Sequence, residues 1–286
     1  MTLKANRAAS FIIVAAVYIV ALLAGILTYL LLPMHFALRL LVADVLATTV
    51  TFLFSVILEN ASVYDPYWSV QPPVILTAFA IMRGLNPTRL LALAAVWLWG
   101  VRLTANWAYT FKGLTHQDWR YTLLMEKTGA FYPLINFLGI HLVPTLVVYA
   151  CTLPAVFLFE ADVQLNVGFV AFTALSVLAA LMQGLADVQM HSFRKRGVGG
   201  FIEEGLWRFS RHPNYLGEIL MWWGIGLAVL SVMPEKPYLL AGALLNTLLF
   251  TFVSLPMAEK RQGEKPGFAE YKNRTRLLLP IPKHPK

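Results

Sequence analysis

Between Gly205 and Gly224 the chain reads Gly-Leu-Trp-Arg-Phe-Ser-Arg-His-Pro-Asn-Tyr-Leu-Gly-Glu-Ile-Leu-Met-Trp-Trp-Gly, crowding cations, hydrogen-bonding groups and aromatic rings into a turn before an apolar helix. Arg211, His212 and Asn214 stand where the first N–H groups of that helix lack backbone partners, a combination suited to the phosphate oxygens of a bound cofactor. A juxtamembrane patch holding lipid phosphates is the plainer reading of the same cations. Upstream, Gln183, Asp187, His191 and Arg194 follow one helical stripe, leading from inside an apolar run to its edge. Such a stripe can hold an amide and a ribose near the bilayer and a phosphate at the rim. Lys195 and Arg196 extend the basic end, and Gly199-Gly200 follow as a turn able to fold over a ligand.

The amino-terminal half carries two further clusters. Leu-Glu-Asn-Ala-Ser-Val-Tyr-Asp-Pro-Tyr-Trp, residues 58–68, gathers Glu59, Asn60, Tyr64, Asp65, Tyr67 and Trp68 at one helix end. A carboxyl partly buried among apolar residues is a hydrogen-bond donor when protonated, able to polarise a carbonyl, which makes Glu59 a candidate acid. An interfacial aromatic belt is the competing reading of the rings. Arg102 and Asn106 fall four apart on one face, with Trp99 and Tyr109 a turn to either side, so that face does not point at lipid. Pairing of Arg102 with Asp65 or Asp44 competes with a role in ligand binding.

The elements that must position these residues are membrane spans. In 286 residues, 58% are apolar and only 13% charged, the composition of an integral membrane protein. Apolar stretches cover 8–32, 36–58, 71–82, 88–109, 134–159, 165–190, 216–233 and 238–257. The third opens with Pro72-Pro73 and is short, so it either crosses or re-enters. The expected fold is therefore an all-α integral membrane protein, a single bundle of seven to eight transmembrane helices forming one domain over 1–286. Residues 1–132 make its substrate-side half and 133–286 its cofactor-binding half. With both termini cytoplasmic, 18 of the 23 Lys and Arg lie on that side, so the net charge of +8 reads as topology and no nucleic-acid partner is implied. The single cysteine, Cys151, and six scattered histidines imply no metal.

Residues 183–282 resemble the C-terminal half of the steroid 5α-reductase family, and more closely its bacterial relatives of unassigned function, the DUF1295 group. The likeness rests on Asp187 and Arg194, on the block Leu206-Trp207-Arg208-Phe209-Ser210-Arg211-His212-Pro213-Asn214-Tyr215-Leu216-Gly217-Glu218 with Trp222, and on Glu270-Tyr271-Lys272 with Leu279-Pro280. It implies NADPH held between the last spans and the cytoplasmic loops. Gln183 stands where the reductases have an amide-bearing Asn, and Asp187, Arg194, Asn214, Glu218 and Trp222 match their cofactor residues. Tyr215 replaces a Phe. Lys195, Arg211, His212 and Tyr271 complete the expected cofactor set, and Pro256 falls where the family has a phosphate-facing Arg, so Lys260 or Arg261 must substitute.

Towards the N-terminus Glu59 matches the family's catalytic Glu, although Leu58 replaces its preceding Gln. The catalytic Tyr aligns with Trp99, which has no phenol, leaving Tyr64 or Tyr109 to help donate the proton. Asn60, Trp68, Trp99, Arg102 and Asn106 are the expected substrate-side residues.

The function implied is NADPH-dependent reduction of the C=C bond of an apolar enone, such as a 3-oxo-Δ4-steroid or similar lipid, in a multi-pass protein reading as a monomer among membrane lipids. If the source is bacterial, the inner membrane is the expected location, with the C-terminus cytoplasmic. An alternative is an isoprenylcysteine-type methyltransferase, in which Arg211, His212 and Glu218 hold S-adenosylmethionine. A transporter or lipid-binding scaffold, with Arg102 and Asp44 lining a path, is the non-enzymatic reading.

Overall fold

The computed structural model describes residues 3–197 and 199–281. Apolar residues on nearly every face of the long segments leave the helix as the backbone arrangement that satisfies its own polar groups in lipid. Ten helices carry the description: α1 Arg7–Leu31, α2 Phe36–Ile57, α3 Tyr67–Arg83, α4 Pro87–Thr110, α5 Trp119–Thr128, α6 Val143–Glu160, α7 Val167–Lys195, α8 Pro213–Val232, α9 Pro237–Gly263 and α10 Phe268–Arg274. Among the described residues, seven helices are long and apolar enough to cross a membrane: α1, α2, α4, the Trp119–Glu160 run that contains α5 and α6, α7, α8 and α9. Asn side chains start three of them. The Oδ1 of Asn6, Asn86 and Asn166 accepts from the N–H of Ala9, Arg89 and Phe169 at 3.1, 2.8 and 2.7 Å.

α3 is the stretch that the sequence leaves between crossing and re-entering. It is a continuous 17-residue helix that begins before its prolines, at Tyr67. Its two ends are tied to opposite ends of the bundle. Just before it, Asp65 accepts from Tyr121 Oη at 2.7 Å, and at its last residue Arg83 Nε donates to Glu160 at 2.9 Å. α3 therefore runs the height of the bundle beside its neighbours. Pro72 and Pro73 remove two backbone donors and are accommodated because α4 comes in close at Gly100, where a Cβ would lie 2.6 Å from Pro73 Cγ and 2.7 Å from the Ser69 carbonyl.

The alternation of these helices brings the N-terminus and the segments 58–66, 111–118, 196–212 and 264–281 to one end. Lys4 Nζ donates to the Leu58 carbonyl at 2.9 Å and Arg7 to that of Ala108 at 2.8 Å, joining the start of α1 to the ends of α2 and α4. The main core joins Leu76 and Phe79 of α3, Val96 and Trp99 of α4, Val156 and Phe159 of α6, Ala180 of α7, and Met221, Trp222 and Ile225 of α8. α7 and α8 pack most closely, through Gly217 and Gly224, where a Cβ on Gly224 would lie 2.8 Å from the Phe172 carbonyl.

Candidate active site

Polar groups from α4, α7 and α8 converge where these helices approach the loop-bearing end. Glu218 is buried and accepts three N–H donors: Trp99 Nε1 at 2.8 Å, Gln183 Nε2 at 2.9 Å and Trp222 Nε1 at 2.9 Å. Arg102 Nη1 donates to Asp187 Oδ2 at 2.7 Å, its Nη2 donates to Gln183 Oε1, and the same nitrogen lies 3.9 Å from Glu218. One step outward, His191 Nε2 donates to Asn106 Oδ1 at 2.6 Å, a direction set by the amide oxygen being an acceptor only. Six residues, Trp99, Arg102, Gln183, Asp187, Glu218 and Trp222, thus form one connected network in which a single bond spans up to 119 positions, and with the adjacent His191–Asn106 pair it absorbs the polar stripe of α7 and the polar face of α4.

Above this network lies a cavity of about 700 Å³ lined by Asn106, Asp187, His191 and Arg194, by Gly197, Gly199 and Gly200, by Trp207, Arg211, His212, Asn214 and Tyr215, and by Gln262, Lys265 and Tyr271. Its volume is that of a site for a ligand of drug or cofactor size. Burial and the Arg261 and Arg194 charges hold the Lys265 ammonium below the usual lysine pKa, a sign that cations meet here in excess. The Oδ1 of Asn214 and the Oε1 of Gln262, both buried at the cavity wall, have no hydrogen-bond partner among the described residues.

A second hollow of about 600 Å³ runs between α4 and α7, with Leu98, Ala105, Leu181, Leu185 and Val188 as its apolar sides and Lys195 at its rim. The two share Asn106, Asp187 and His191.

The expected cofactor residues separate by where the fold puts them. Asp187, Arg194, Asn214 and Tyr215 line the larger cavity, while Gln183, Glu218 and Trp222 lie beneath it and hold Arg102 and Trp99 in place. Lys195 faces the apolar hollow and lies over the Tyr109 ring. Arg211 and His212 line the cavity, yet their donors are engaged. Both Arg211 Nε and Nη2 donate to Glu259 at 2.9 and 2.8 Å, its Nη1 donates to the Thr275 carbonyl, and His212 Nε2 bonds Glu259 at 2.8 Å. Their work is to clamp the C-terminal segment to the start of α8, and Tyr271 joins that clamp by donating to the Trp207 carbonyl.

Lys260 is exposed and Arg261 stacks on the Trp119 ring at 4.2 Å, so neither lines the cavity. The cation that does come from this segment is Lys265, whose Nζ donates to the Gly200 carbonyl at 2.7 Å. Sequence reading missed Lys265 and Glu259 because neither belongs to a motif; Glu259 meets Arg211 from the last turns of α9, and Lys265 is brought in by the turn after it.

The amino-terminal assignments change more. Glu59 has a left-handed backbone, φ 53°, at the end of α2, which turns its side chain outward to 86% exposure beside Lys4. The expected partial burial is not met, and Glu59 lines neither cavity. Tyr64 is buried elsewhere, bonding Thr145 Oγ1 at 2.8 Å. Asn60 is also structural: its Nδ2 donates to the carbonyls of Leu114 and His116 at 2.7 and 3.0 Å. Of the expected substrate-side residues, Arg102 and Asn106 line the apolar hollow, Trp99 lies in the network, and Trp68 packs against Trp99 at 6.0 Å between ring centres.

Fold and site together define a multi-pass helical membrane protein with a polar, cation-bearing cavity at one end of the bundle. Residues 51–275 match the family model described as "Protein of unknown function (DUF1295)", and the chain belongs to that family. An uncharacterized protein of Schizosaccharomyces pombe is 26% identical over 268 aligned positions, covering 79% of this chain and 74% of that protein. No solved structure matches the chain.

Proposed function

We propose that the protein is a membrane-embedded, NADPH-dependent reductase of the C=C bond of an apolar enone. The observation that carries this reading is the meeting of two cavities of unlike chemistry, one basic and one apolar, at a shared wall of Asn106, Asp187 and His191. A phosphorylated dinucleotide fits the first. Arg194 and Lys265 are placed for its phosphates, and Asn214 Oδ1 and Gln262 Oε1 are acceptors for its amide, amine or hydroxyl hydrogens. An apolar substrate fits the second and reaches it sideways from the bilayer.

NADPH, when bound, supplies a hydride from its nicotinamide ring. The chain's own residues position and polarise. Arg102, braced by Asp187 and Gln183, fixes the floor, and the Glu218 network fixes α4 against α7 and α8. The amide N–H of Asn106, oriented by the bond from His191 to its Oδ1, stands at the shared wall, where a carbonyl oxygen gains negative charge as its conjugated C=C accepts hydride and the α-carbon then takes its proton from water. A donor placed there is worth about 10²–10³ in rate. The end of the bundle that carries the cavity also carries most of the cations, which makes it cytoplasmic by the positive-inside rule. The methyltransferase reading is weakened because Arg211, His212 and Glu218, its proposed ligand holders, are all committed to partners within the protein.

The test is oxidation of NADPH by detergent-purified protein across a panel of cyclic and linear enones. Turnover of an enone, with the saturated ketone as product, supports the proposal. NADPH binding without turnover of any enone would overturn the substrate class.

A further inference from the structure

A second polar cluster lies between α2, α3 and the start of α6, on the face of α3 turned away from the Glu218 network, and the reductase reading does not use it. Three pairs of polar residues at helical spacing face one another: Asp44 and Thr48, Tyr67 and Gln71, His141 and Thr145. Tyr67 Oη donates to Asp44 Oδ1 at 3.3 Å, Gln71 Nε2 donates to Asp44 Oδ2, and Thr145 Oγ1 bonds both Thr48 Oγ1 at 3.0 Å and Tyr64 Oη at 2.8 Å. The Tyr64 ring stacks on Tyr67 at 5.4 Å and lies 4.7 Å from the His141 ring, binding the pairs into one cluster.

Three of its buried acceptors lack donors. His141 Nδ1 bonds the Asn136 carbonyl at 3.0 Å; a carbonyl only accepts, so Nδ1 carries the hydrogen and Nε2 presents a lone pair. Gln71 spends its amide N–H on Asp44, leaving Oε1. That oxygen, His141 Nε2 and Asn136 Oδ1 have no partner among the described residues, although Gln71, His141 and Asn136 are 7%, 0% and 4% exposed. Buried acceptors without donors each cost about 1–3 kcal/mol. A second observation marks the same place: Asn136–Leu142 is a π-helical segment, and the wide turn sets the direction of both His141 and Asn136. Such segments occur frequently at functional sites.

We propose that this cluster is a binding site for the hydroxyl group of an apolar alcohol, whose single O–H donates to one of the orphaned acceptors while its hydrocarbon body lies among the helices. The orphaned atoms are neutral amide and imidazole acceptors, and the group they fit is a hydroxyl donor. The proposal does not depend on the reductase reading, since the cluster shares no residue with the wall between the two cavities.

The experiment is photolabelling of detergent-purified protein with a diazirine-bearing fatty alcohol and with its methyl ether, which lacks the donor, read by peptide mass spectrometry. The expected result is labelling within α2, α3 or residues 132–160 by the alcohol at least about tenfold above the ether, as one hydrogen bond to a buried acceptor allows. His141→Phe combined with Gln71→Met is expected to abolish the difference, and His141→Gln, which keeps an acceptor, to retain it. Wild-type unfolding temperature shows that each variant is folded. Equal labelling by alcohol and ether, or no labelling in this region, would overturn the proposal and leave ordered water as the partner of these acceptors.

Discussion

Arg102 of α4 and Asp187 of α7 form an ion pair at 2.7 Å in which both side chains are mostly buried. Each was a candidate ligand contact from its position in an apolar segment, and each proves to be the other's partner. The pair joins the two helices that bound the apolar hollow, and Asp187 belongs to the wall that the two cavities share.

Removing one member of such a pair leaves an uncompensated charge. Arg102→Ala is expected to destabilise the protein by about 3–5 kcal/mol, and Arg102→Ala with Asp187→Ala by clearly less than the sum of the single changes. Denaturant unfolding in mild detergent measures this. Additive losses would show that the two residues do not act as a unit.

The clamp around Glu259 makes a separate prediction. Arg211, His212 and Lys272 all approach this carboxylate, and Arg211 also bonds the Thr275 carbonyl. Glu259→Gln is expected to loosen residues 264–281 while leaving the bundle intact, so limited proteolysis would cut the tail at least about tenfold faster, the effect of losing one charge-assisted bond. Unchanged cleavage would remove the clamp from the account.

Asp65 gives the structure a pH dependence. Burial pushes its carboxyl from 3.8 up to about 6, against the lowering effects of the Tyr121 hydrogen bond and the Arg120 charge. A raised carboxyl pKa means that the folded state holds the proton more tightly than the unfolded chain. Its contribution is therefore present below about pH 4 and is lost as pH rises to about 6. Asp65→Asn is expected to flatten that part of the stability profile, measured as unfolding temperature against pH. An identical slope in the variant would contradict the assignment.

The helices were legible because length and apolarity alone decide them, and the α7 stripe was legible because helical spacing carries it through to the structure. Gln183, Asp187 and Arg194 lie where their periodicity places them. Glu59 was not legible: its residue type and position at a helix end suit an acid, but one left-handed backbone angle directs it outward, and nothing in the sequence announces that angle. Glu259 and Lys265 were missed for a different reason, because their contacts with Arg211 and Gly200 span 48 and 65 positions and depend on how the end of α9 and the turn after it pack. The short α3 was ambiguous because Pro72-Pro73 signals a break that close packing at Gly100 overrides.

The most direct measurement is equilibrium binding of NADPH, NADH and S-adenosylmethionine to detergent-purified wild type and to an Arg194→Ala, Lys265→Ala variant. The account predicts that NADPH binds wild type more tightly than NADH does, that the double substitution weakens NADPH by at least about tenfold, the scale of a charged hydrogen bond, and that NADH changes less. Binding of S-adenosylmethionine alone, or NADPH binding insensitive to both substitutions, would contradict the assignment of the basic cavity.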